Sequence, residues 1–128
     1  MPLGDPHGGN FIYTNEGIPS GIALVTIPCR DIGRAVGFYN GLLKLEVCGQ
    51  DDGEAVLSAG KDLLRLVKTD KVGLDTGIYL RTDSVYDLHR RLIDEGVIFV
   101  LDPKRTNLGL ITSFRDDDGN VINAIEIK

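Results

Sequence analysis

The sequence predicts an α+β fold built from two paired βαβββ modules. Three observations lead there. Each half of the chain reads as a strand, a helix and then three short strands. Setting Asp31 on Asp83, the two expected helix caps, also sets Lys44 on Gly96, where both helices should stop. And 128 residues are enough for one buried core but too few for two independent ones. Repeats of about fifty residues also occur in propellers and solenoids, but those need at least three units to bury a core.

Residues 1–20 hold four glycines and three prolines around Phe11, Ile12 and Tyr13; this reads as an irregular arm with at most one edge strand. From residue 22 the apolar, β-branched run IALVTIP has the composition of a mostly buried strand. Asp31 then stands as an N-cap, and Ala35, Phe38, Tyr39, Leu42 and Leu43 follow at helical spacing, predicting a helix over 32–43. LEVCG, EAVLSAG and DLLRLVK, separated by DDG and AGKD, predict a meander of three strands.

After the polar linker TDKVGLD the pattern restarts. IYLRT is the next strand, and Asp83 caps a helix with Val85, Leu88 and Leu92 on one face that ends at Gly96. VIFVL, GLITSFR and VINAIEI, divided by DPKRTNLG and by the DDDG turn, close the second meander. The modules are placed at about 21–70 and 74–128 of a single domain over 21–128.

Composition narrows the function. The chain is 42% apolar and 26% charged, an ordinary globular balance, with no apolar run able to span a bilayer. The start, MPLGDPHGGN, has neither the basic region nor the apolar stretch of a secretory signal, so a cytoplasmic protein with no membrane partner is expected. A net charge of −5 gives no attraction to phosphate backbones, so no nucleic-acid partner is expected. Cys29 and Cys48 make no disulfide framework and read as free thiols, each a small buried hydrophobe. His89 reads as a partly exposed helix histidine and His7 lies in the arm; neither joins a cluster. Asp116, Asp117 and Asp118 lack the alternating spacing of a calcium loop and read as a turn.

DIGRAVGFYNGLLKLEV, with Asp31, Phe38, Tyr39 and Leu43, resembles the first-helix signature of the vicinal oxygen chelate superfamily, the glyoxalase, bleomycin-resistance and extradiol dioxygenase group. FRDDDGNVINAIEI, with Phe114, Asp116, Asp118, Gly119 and Asn120, resembles its closing motif. The resemblance covers 21–128. Lys44 replaces the usual glycine after the helix, and holding a left-handed stop there would cost a non-glycine residue about 1 kcal/mol; Asp117 replaces the usual proline.

The resemblance implies a curved mixed sheet around a cleft, with a divalent metal held by one inward residue on each of four strands. Those positions map to Leu24, Arg65, Gly77 and Asn123, of which only Asn123 offers an oxygen donor, so no metal and no other cofactor are expected. Alternation along the strands lines the cleft with Leu24, Thr26, Arg65, Gly77, Tyr79, Arg81, Ser113, Arg115 and Asn123. Its arginines suit a small carboxylate or phosphorylated ligand, unless they sit at a sheet edge with their heads in water; Tyr79 could equally belong to the core.

Three functions follow from the resemblance. The first is a metal-independent binder of a small molecule, similar to the bleomycin-resistance proteins; with no Trp and 6% aromatic content, bleomycin itself is a poor fit. The second is a metal-dependent lyase, isomerase, dioxygenase or thiol transferase. The third is a structural or regulatory association module whose cleft is filled by Leu24, Leu63, Val67, Ile125 and Ile127. The resemblance also implies a homodimer that covers sheet edges and completes the cleft.

Overall fold

The computed structural model describes residues 12–13 and 16–127. Most of the arm, with Phe11 and His7, lies outside the described residues; Ile12 and Tyr13 are exposed and in no strand.

The first module consists of β1 (Leu24–Cys29), α1 (Ile32–Val36), a π-helical turn (Gly37–Leu42), β2 (Glu46–Gln50), β3 (Glu54–Ala59) and β4 (Asp62–Lys68). The second consists of β5 (Asp75–Arg81), α2 (Val85–Asp94), β6 (Phe99–Arg105), β7 (Leu110–Arg115) and β8 (Val121–Glu126). Each module folds into one four-stranded mixed sheet, in the orders β1-β4-β3-β2 and β5-β8-β7-β6. Leading strand and last strand run parallel, and the meander is antiparallel. The expected α+β architecture of paired modules is found.

Three local expectations need correction. Asp31 does cap α1, accepting from Arg34 N at 2.9 Å, but α2 is capped by Ser84, which accepts from Asp87 N at 3.1 Å. Asp83 lies one residue outside. The stops do align: Lys44 and Gly96 both have positive φ, 64° and 85°. One more residue therefore separates cap from stop in the first module, and the wider π-helical turn takes it up, since such a turn is how a helix absorbs an insertion. The continuous α-helix expected over 32–43 is for this reason α-helical only to Val36. Finally, β6 continues through Pro103 into the expected loop, which an outer strand tolerates where, as here between Leu101 and Lys104, its pairing is irregular.

Alternation sends one face of each sheet inward. Ile27, Cys29, Ala55, Leu57, Leu64 and Leu66 of the first sheet share a cluster with Ile32, Ala35, Phe38 and Tyr39, and with Leu92, Phe114, Ile122 and Ala124 of the second module. Phe114 is fully buried, its ring 6.3 Å from that of Phe38 and 5.4 Å from that of Phe99. Burying such a side chain contributes about 1.5–3 kcal/mol, and here it does so across the module boundary.

A buried polar network reinforces that boundary. The Tyr39 hydroxyl donates to Asp116 Oδ2 at 2.6 Å. Asn120 donates to the same oxygen at 2.9 Å and to the carbonyl of Pro28 at 2.8 Å, while its own Oδ1 accepts from Gly73 N and Leu74 N. The acidic run is a turn, as expected, but its first carboxylate is a structural anchor. Burial and then the Asp116 charge push the Tyr39 phenol far above its ordinary range. Burial, followed by the charges of Asp118, Asp116 and Asp31, pushes the Cys29 thiol up to about 11. Cys48, expected to be buried, is exposed, because β2 is an outer strand with a bulge between Val47 and Gly49.

Candidate ligand-binding site

The outer face of each sheet, turned away from the shared core, carries the site residues read from the sequence. On the first sheet Leu24 lies beside Leu63, and Thr26 beside Arg65, which has Val56 on its other side. Leu24 and Leu63 remain 41% and 37% exposed. Arg65 is half-buried and pairs with Glu54 at 3.3 Å.

On the second sheet the register sets Tyr79, Asn123, Ser113 and Leu101 in one transverse row. Arg81, Ile125, Ile111 and Lys104 form the next. Ser113 and Asn123 are buried, the Ser113 hydroxyl donating to Asn123 Oδ1 at 2.5 Å and the Asn123 amide donating to the carbonyl of Ile78 at 3.0 Å. Tyr79 is not a core residue: it stands half exposed on the outer face. Gly77 sits at an irregularity of β5 with φ 67°, a conformation glycine adopts without strain. Arg115 turns back over the β7–β8 turn, donating to the carbonyl of Gly119 at 2.8 Å.

The expected residues thus fall into two groups, one per sheet, and among the described residues no strand pairing joins the sheets. A cavity of about 220 Å³ lies elsewhere, between the π-helical turn, the α2–β6 connection and the β7–β8 turn; of the expected residues it touches Arg115. The members of the outer faces that were missed include Val56, Leu101 and Ile111, and with them Glu54, whose pairing with Arg65 depends on cross-strand register, and Lys104, placed there by irregular pairing of β6 that alternation alone does not foresee.

The four positions at which the resemblance would place metal ligands do not suit a cation. Leu24 and Gly77 have no donor atom, Arg65 is itself cationic, and the Asn123 amide is engaged with Ser113 and Ile78. Among the described residues no group of three His, Cys, Asp or Glu side chains is arranged to hold a metal.

Residues 21–124 match the sequence profile described as glyoxalase/bleomycin resistance protein/dioxygenase superfamily. The chain belongs to this superfamily. Among solved structures, TnmS3, an antibiotic-binding protein from Streptomyces sp. CB03234, is 29% identical with a TM-score of 0.77, over 89% of this chain and 100% of its own. A glyoxalase/bleomycin resistance protein from the same organism is 30% identical with a TM-score of 0.72, over 82% of this chain and 99% of its own. The lactoylglutathione lyase of Agrobacterium tumefaciens shares the fold, with a TM-score of 0.74 at 19% identity over 84% of this chain and 94% of its own. None of the curated proteins compared with the chain matches it. Among the described residues no helix is long and apolar enough to cross a membrane.

Proposed function

We propose that this superfamily member is a metal-independent small-molecule-binding protein, with its ligand held against the outer sheet faces and a second copy of the chain completing the cleft. The observation that carries this reading is the outer face of the second sheet. It combines a buried, mutually hydrogen-bonded pair, Ser113 and Asn123, with the exposed Tyr79 and Arg81. A few fixed polar groups within an apolar surface are what orient a small ligand. The likeness to antibiotic-binding TnmS3 supports a small organic molecule as the ligand class.

Metal independence rests on the donor set: leucine, arginine, glycine and an engaged amide replace the several free N or O ligands that a catalytic cation needs. The homodimer rests on Leu24, Leu63 and Tyr79, large apolar groups left open within one chain, and on the symmetry by which oligomers cover such surfaces. Two unpaired thiols fit a reducing, cytoplasmic setting.

The test is calorimetric titration of chelator-treated protein with nickel, zinc and manganese, beside a thermal-shift screen of small organic antibiotics and metabolites and sedimentation analysis. The reading expects no stoichiometric metal binding, at least one ligand that raises the unfolding temperature, and a dimer. Micromolar metal binding lost in Asn123→Ala overturns metal independence.

A further inference from the structure

Charge is distributed unevenly over the molecule. The chain as a whole carries −5, yet the outer face of the second sheet bears Arg81, Lys104 and Arg115 in register with its ladder, against Asp75 at the start of β5. The arginines of the two outer faces are not equivalent. Arg65 is committed to Glu54 and Arg115 to the carbonyl of Gly119. Arg81 is exposed and has no hydrogen-bond or ion-pair partner among the described residues.

Its neighbours define what it would meet. Tyr79 precedes it by two residues on the same strand and face, so the two Cα atoms stand about 7 Å apart along the strand. Beside Arg81 in its own row lie Ile125, which is buried, and Ile111, which is half-buried. The Ser113–Asn123 pair flanks these isoleucines in the adjacent row. The half-buried Ile111 therefore shares its row with a free, planar guanidinium, and Tyr79 shares its face. A guanidinium fork donates to two oxygens of one carboxylate or sulfonate.

From this arrangement we infer that the ligand is an organic monoanion: its acidic group is held by Arg81, and its apolar body lies against the half-buried Ile111 on the face shared with Tyr79. Arg81 is the residue that selects charge. This inference rests on the proposed cleft but can fail without it.

The test uses two dyes on one scaffold, 8-anilinonaphthalene-1-sulfonate and the uncharged N-phenyl-1-naphthylamine, titrated by fluorescence into the full-length protein and its Arg81→Gln variant. The wild type is expected to bind the sulfonate about tenfold more tightly than the neutral dye, and Arg81→Gln to bring the two within about twofold. Added salt should weaken only the sulfonate. Equal wild-type affinities, or a sulfonate preference that survives in Arg81→Gln, overturn the inference while leaving the cleft in place. Failure of both dyes to bind overturns the cleft reading and this inference together. Because Arg81 is exposed, a thermal melt of the variant separates a change in binding from a change in folding.

Discussion

The hydroxyl of Tyr39, at the end of the first module's helical segment, donates a 2.6 Å hydrogen bond to Asp116 in the β7–β8 turn of the second module. Both groups are buried, and Asn120 ties the same carboxylate to the carbonyl of Pro28 at the end of β1. One charged oxygen thus couples three elements distant in sequence.

Removing that donor exposes its contribution. A hydrogen bond to a charged group contributes about 1.5–3 kcal/mol, and a buried acceptor left short of a partner bears a desolvation cost as well. Tyr39→Phe, which keeps the ring against Phe38, is expected to lower unfolding stability by an amount in this range in urea titrations. No measurable change would show that Asn120 alone satisfies Asp116.

Alkaline pH should act on the same region. The Cys29 thiol is raised to about 11 when folded, above the ordinary thiol value of about 8.5. Its contribution is therefore fully present below that ordinary value and is lost as pH climbs towards 11, because the unfolded chain releases the proton first. Tyr39, also raised, adds the same sign above about pH 10. Unfolding curves collected from pH 8 to 11 should show a steeper loss in the wild type than in Cys29→Ala. Parallel slopes would refute the assignment.

Lys44 holds φ 64°, where its Cβ crowds the backbone. Lys44→Gly should relieve about 1 kcal/mol of strain, for a net gain of up to about 0.5 kcal/mol after glycine's added unfolded-state entropy. Thermal unfolding should shift upward by a few degrees. An unchanged or lower midpoint would mean that the lysine side chain compensates elsewhere.

The cap of α2 can be assigned by substitution. Ser84→Ala should cost about 1 kcal/mol, and Asp83→Ala, one residue outside the helix, only a few tenths. Denaturant midpoints of the two variants decide it, and the reverse order would return the cap to Asp83.

How much of this was legible in the sequence depends on the range of the interaction. Local chemistry determined the order of elements: the alternating runs that became β1, β3, β4, β7 and β8, the cap at Asp31, the left-handed stops at Lys44 and Gly96, and the duplication they reveal. These follow from backbone sterics and from side chains within a few residues, which a sequence displays directly. It also determined which chemistry is missing at the mapped positions, since Leu24 and Gly77 offer no ligand atom in any conformation.

Tertiary structure decided what depends on distant neighbours. One additional residue became a π-helical turn rather than a longer loop because Phe38 and Tyr39 must both reach the core. Asp116, read only as part of a turn, is buried because Tyr39 and Asn120 arrive from elsewhere to satisfy it. Strand alternation put Arg65, Arg81 and Arg115 on the faces turned away from the shared core, but it could not say which were already paired. That depended on the register of β3 against β4, which sets Glu54 within reach of Arg65, and on the tight β7–β8 turn that offers Arg115 a carbonyl. Among the described residues the Arg81 side chain is left free, because neither arrangement occurs on β5.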